Sequence, residues 1–112
     1  MQTSNTAYVE KKSFSQKLVL SINEALETGV GSAAADSIGF FIDPKIAVKD
    51  PKKYWSNLDK MFNHQSEAIK VKLISSVSEH FGMPNKDFPD FASSVEAAKQ
   101  KFLRDDLVDP SN

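Results

Sequence analysis

The chain has 112 residues, 14 basic and 15 acidic side chains, a formal net charge of −1 and no cysteine. Its length suits one domain, and 40% hydrophobic with 26% charged residues is a globular composition, not a disordered one. The cysteine count excludes disulfides, thiol chemistry and Cys-ligated zinc, near-neutrality argues against whole-molecule attraction to nucleic acid or anionic membrane, and no apolar run approaches the roughly 18 residues of a membrane span.

The opening residues lack the charged start and apolar core of a signal peptide, so a soluble, cytoplasmic protein is expected. Residues 1–12 are polar and aperiodic and read as a flexible arm. The first helix is expected from Ser13, where Ser13 and Gln16 have capping-box spacing. Phe14, Leu18, Ile22, Ala25 and Leu26 then recur at helical intervals. Gly29 and Gly31 are expected to stop it, because glycine accepts the positive φ of a C-terminal cap.

Ser32 opens a short second helix whose stripe is Ala35, Ile38, Phe41 and Ile42, ended by Pro44. Asp43 to Asp50 reads as a loop with Ile46 and Val48 turned inward. Asp50-Pro51 is a helix start, with Asp as cap and Pro in the turn that needs no N–H. Tyr54, Leu58, Met61 and Phe62 line one face of this third helix, and Asn63 is its expected left-handed terminator.

A fourth helix runs from Gln65 or Ser66 to Phe81. Ile69, Leu73, Val77 and Phe81 fall at four-residue steps, with Ala68, Ile74 and His80 widening the stripe. Gly82 ends it, Met83 packs back across the cap, and Pro84 follows. Asn85 to Asp87 is a polar link. A fifth helix is expected to start between Asp87 and Asp90, with Pro89 in its first turn and Phe88, Phe91, Ala92, Val95, Ala98 and Phe102 on its apolar side. Residues 105–112, with Asp105, Asp106, Asp109 and Pro110, read as an acidic tail. No segment alternates with a period of two. The expected fold is all-α, a compact orthogonal bundle of about five helices over residues 13–104.

The residues offer little for catalysis, which needs a nucleophile with a base, a carboxylate pair or a metal cluster. The two histidines are His64 and His80. His64 has Asp59 and Glu67 nearby in sequence, half a metal site at most. His80 stands near a helix C-terminus, where an imidazole complements the helix dipole. Asp36, Asp43, Asp50, Asp59, Glu67 and Glu79 are spread singly. The Gly29-Val30-Gly31-Ser32 turn opens a helix, but no strand precedes it and no P-loop lysine follows. No catalytic residue, metal or cofactor is expected, and the chain is not read as an enzyme.

A helix–turn–helix around Gly29–Gly31 would place the second helix in DNA, yet it has no Lys, Arg, Gln or Asn between Ser32 and Ile42. The single arginine is Arg104. The densest basic run is Lys45, Lys49, Lys52, Lys53 and Lys60, diluted by Asp50 and Asp59. It is either a solvated face or an anion surface. Trp55, at the edge of the third helix's stripe, is either a lid on the core or an interface anchor. Phe40 and Phe41 are adjacent, so both cannot face one core from a single helix. Phe40, Phe41 and Trp55 are therefore the candidate protein interface, and Lys45, Lys49, Lys52 and Lys53 the candidate anion patch.

Across roughly residues 14–84 the order of short segments resembles a family. Ser21-Ile22-Asn23-Glu24-Ala25-Leu26 leads to a glycine turn. Ala34-Ala35-Asp36-Ser37-Ile38 precedes an aromatic pair. Asn57-Leu58-Asp59-Lys60-Met61-Phe62 is followed by Glu67-Ala68-Ile69, and Glu79-His80-Phe81-Gly82 closes the series. This order is similar to that of an archaeal, Nitrosopumilus-type signal-transduction output domain. Asn63-His64-Gln65-Ser66 departs from the glycine-containing turn expected there. The resemblance implies a regulatory or interaction module with no catalytic site to carry over. The expected function is a non-catalytic binding module acting in signalling, with a protein partner or a second copy as ligand. The alternatives are a nucleic-acid-associated factor using the Lys45–Lys60 run and a small-molecule sensor with an aromatic pocket between the second, third and fourth helices.

Overall fold

Apolar residues at three- and four-residue spacing give each segment one face to bury, and six helices form on that pattern among the described residues. The computed structural model describes residues 2–63, 65–84 and 87–108, with side chains described over 14–63, 65–84 and 87–105. The helices are α1 (Gln2–Val30), α2 (Ser32–Phe41), α3 (Ile46–Lys49), α4 (Pro51–Met61), α5 (Glu67–His80) and α6 (Phe91–Val108). There is no strand among the described residues, and the fold is an all-α bundle.

α1 begins at Gln2, not at Ser13. Residues 2–12 contain neither glycine nor proline, so nothing there interrupts the hydrogen-bond ladder, and the stretch expected as an arm continues the helix. Ser13 is thus inside the helix and does not cap it. At the other end Gly31 adopts φ 94°, and its N–H donates to the Glu27 carbonyl at 2.9 Å. Gly29 does not stop the helix; it lies within α1. A Cβ on Gly29 would stand 2.7 Å from Ile69 Cδ1 and 3.3 Å from Lys72 Cδ, so the missing side chain lets α5 approach α1 closely.

α1 packs on α2, α3, α5 and α6, and its most extensive interface is with α5. Leu18, Ile22 and Leu26 of α1 share a buried cluster with Ile69, Leu73 and Val77 of α5. The Ser76 hydroxyl donates to the Ser21 carbonyl at 2.8 Å inside this seam. Phe14, Phe81 and Phe102 close one end, with centroids 5.3 Å, 5.6 Å and 6.4 Å apart, and Lys17 Nζ lies 5.6 Å from the Phe81 ring centre.

The expected loop over Asp43–Asp50 contains α3, a single turn. The Asp43 carboxylate accepts from the Lys45 N–H at 3.0 Å, and the Asp43 carbonyl accepts from Ile46 N–H at 3.1 Å. Ala47 is the fully buried residue here, and Ile46 and Val48 are half-buried beside it. α4 starts as the Asp50-Pro51 pair predicts: Pro51 occupies the first turn and Asp50 Oδ1 accepts from the Lys53 N–H at 3.1 Å. Tyr54 and Leu58 are fully buried, but Met61 is exposed and Phe62 only half-buried. Phe62 follows the last helical residue, where the chain turns away, and Asn63 reverses it with φ 58°. Ser66 then donates to Asp59 Oδ1 at 2.5 Å, tying the start of α5 to α4.

α5 ends in a Schellman motif. The Met83 N–H donates to the Ser78 carbonyl at 2.8 Å, the Gly82 N–H to the Glu79 carbonyl at 3.2 Å, and Gly82 has φ 66°. Met83 is buried across the cap. Ala68, expected to widen the α5 stripe, is exposed. α6 starts at Phe91 with Asp90 as its cap, accepting from the Ser93 N–H at 2.8 Å. That backbone donor holds the Asp90 carboxyl below its ordinary value. Pro89 stands before the cap and not in the first turn. α6 continues to Val108, so Asp105 and Asp106 are helical. Asp109 and Pro110 of the expected tail lie outside the described residues.

Two outcomes test this packing. Leu73, fully buried in the α1–α5 seam, should lose about 2–5 kcal/mol of stability on Leu73→Ala, measured by denaturant titration. At the α4–α5 turn, Asn63→Gly should be neutral or mildly stabilising, whereas Asn63→Val should be destabilising by about 1–2 kcal/mol in the same titration, because a β-branched residue resists a left-handed backbone.

Candidate interaction surface

α2 is anchored from one side, by its contact with α1. At about 100° per residue, Ala35, Ile38 and the following Ile42 fall on one arc and are buried there. Phe41 was expected on that stripe. It instead points roughly 95° away from the arc's centre on the same wheel, and Ile42, in extended conformation after the helix end, takes the inward place. Phe41 is therefore 72% exposed and Phe40 85% exposed. The two rings pack edge to face, with centroids 5.4 Å apart.

The residues sharing their side of the helix are Ala33, Ala34 and Ser37, all exposed. Asp36 is the only charged residue of α2, and it lies at the margin of this arc. α2 thus presents a continuous uncharged surface with small residues near its start and two phenylalanines at its end. In the sequence, adjacent aromatics mark Phe40 and Phe41, and the near-absence of charge from Ser32 to Ile42 marks the face they share with Ala33, Ala34 and Ser37.

Trp55 does not join this surface. It is half-buried and packs against the core cluster from α4, which is the lid arrangement. Trp55 also lines an open depression of about 440 Å³, where the other residues, among them Asp59, Ser66, Glu67 and Lys70, are mostly polar. More apolar is an open groove of about 640 Å³ along α5, where Val71, Ile74, Phe88 and Pro89 meet.

Lys45, Lys49, Lys52 and Lys53 are all exposed, as is Lys60. Lys52 shares a surface groove with Asp50, Asp90 and Glu96, so its field is offset locally by carboxylates. His64 lies outside the described residues. His80 Nε2 meets Glu24 Oε1 across the α1–α5 seam, a partner 56 residues away that no local spacing announces. Among the described residues no group of three His, Cys, Asp or Glu side chains could hold a metal ion, and no helix is long and apolar enough to cross a membrane. No family model, curated protein or solved structure matches the chain.

One buried polar atom stands apart from these surfaces. The Tyr54 hydroxyl is fully enclosed and has no hydrogen-bond partner among the described residues. Burial pushes its pKa well above the ordinary phenol value, so it stays protonated and is unsuited to proton transfer near neutral pH. The ring packs 5.7 Å from that of Phe91, joining α4 to α6. Because a buried unpaired hydroxyl is a desolvation cost, Tyr54→Phe should leave stability unchanged or raise it by about 1 kcal/mol, whereas Tyr54→Ala should lose about 3–5 kcal/mol, both read by thermal and denaturant unfolding.

Proposed function

We propose that this chain is a non-catalytic binding module that works in signalling or regulation by docking protein through the outer face of α2. The observation that carries this reading is the Phe40–Phe41 pair, two large rings exposed side by side on an uncharged helix face. A domain that leaves such a patch in water forgoes about 25 cal/mol for each Å² of apolar surface it keeps exposed. Clustered exposed aromatics are the usual anchors of interfaces. The resemblance to an archaeal output domain, itself a regulatory module, agrees with this reading.

The polyanion alternative draws less support. Lys52, in the middle of the run, shares a groove with Asp50, Asp90 and Glu96, and the helix that a helix–turn–helix would insert into DNA has no cation on it.

Site-specific photo-crosslinking tests the docking reading. Phe40→p-benzoylphenylalanine and Phe41→p-benzoylphenylalanine, irradiated in the source cell, should yield discrete protein adducts. A control at Lys99, exposed on α6, should yield few. Equal adduct formation at all three positions would show that the α2 face is not a docking surface.

A further inference from the structure

The uncharged face of α2 has an internal symmetry. Ala33, Ser37 and Phe41 form one row at four-residue steps, and Ala34, Ser37 and Phe40 form a second row at three-residue steps. The two rows cross at Ser37. Each row is small at its first position and large at its last. When two such helices lie antiparallel across a two-fold axis through Ser37, Phe41 of one lies against Ala34 of the other and Phe40 against Ala33. Ser37 then faces itself at the axis. Large side chains meet small ones at every step, the size alternation that close helix packing requires. A two-fold contact needs one self-complementary patch and nothing more.

We infer that the occupant of the α2 face is a second copy of this chain, in an antiparallel two-fold dimer centred on Ser37. The inference rests on the docking reading of that face and names its partner. Charge does not oppose it. The arc carries no charged side chain, Asp36 stands at its margin, and the net charge is −1, so two copies approach with little repulsion. Area sets the strength. Two phenylalanines at 85% and 72% exposure offer roughly 300 Å² per copy. Doubled by the two-fold, the rings supply roughly half of the ~1,200 Å² that a lasting complex buries. Ala33, Ala34 and Ser37 add less, so the dimer is weak and reversible, forming at high local concentration as a switchable contact.

The absence of cysteine makes the geometry directly testable. In Ser37→Cys the two thiols would meet at the axis. Helices separated by about 8 Å bring facing residues within disulfide range, so mild oxidation should cross-link most of the chain. Lys99→Cys on α6 should not cross-link under the same conditions. Sedimentation equilibrium up to about 1 mM should show a monomer–dimer equilibrium, with Phe40→Ala and Phe41→Ala each weakening it about tenfold or more. Both residues are exposed, and circular dichroism should confirm that the variants remain folded. A wild-type chain that stays monomeric throughout, or a Ser37→Cys that cross-links no faster than Lys99→Cys, overturns the dimer. The two proposals fail separately: photo-adducts at position 40 or 41 that contain a different protein would retain the docking reading and reject self-association.

Discussion

The Ser76 hydroxyl reaches the carbonyl of Ser21 in the middle of the seam between α1 and α5, and the other helices are assembled around that seam. The close approach has two further sources. Gly29 leaves out a Cβ that would press on Ile69, and the small residues Ser21 and Ser76 are buried where larger ones would hold the helices apart. Leu18, Ile22 and Leu26 then share a buried cluster with Leu73 and Val77. α2, α3 and α6 each pack on α1, whereas α4 is reached through α3 and α6. Damage to the seam would loosen every one of these contacts, because native stability is a small difference between large terms.

The placement of the candidate surface follows from that arrangement. α2 is joined to α1 by a single glycine and packs on α1 alone among its principal neighbours. One buried arc, Ala35, Ile38 and Ile42, suffices to hold it. The opposite arc is free of any packing demand, so its aromatic content is not explained by folding. α4 shows the contrast. Trp55, flanking the buried Tyr54, is drawn over the core, because α4 has neighbours on more than one side.

Polar groups are settled largely by local means. Asp43, Asp50 and Asp90 each accept a backbone N–H at a helix start, and Gly82 lets the end of α5 satisfy its last carbonyls. Polar contacts between elements orient the helices: Ser76 to Ser21 and His80 to Glu24 tie α5 to α1, and Ser66 to Asp59 sets the α4–α5 corner. Tyr54 departs from this economy, its ring filling the α4–α6 contact at the expense of its hydroxyl. Shape outweighs hydrogen bonding at that position.

The sequence by itself determined the all-α class, the Asp50-Pro51 start of α4, the left-handed Asn63 and the Gly82 end of α5, because caps and terminators act on neighbouring residues. It also determined the inward faces of α1 and α5, since four-residue spacing leaves no other way to bury Ile22, Leu26, Leu73 and Val77 together. Only the tertiary structure decided the rest. Residues 2–12 carry no breaker and also no strong apolar period, so their helical state was not legible. Gly29 read as a stop signal because its reason, the approach of Ile69, lies 40 residues away. Phe41 and Phe62 read as core because periodicity locates a stripe but not its edges. Which residue at an edge is covered depends on how many neighbours the helix has. The same limit applied to the candidate site. The sequence could say that Phe40 and Phe41 diverge, but only the one-sided packing of α2 left both rings on the same uncharged face.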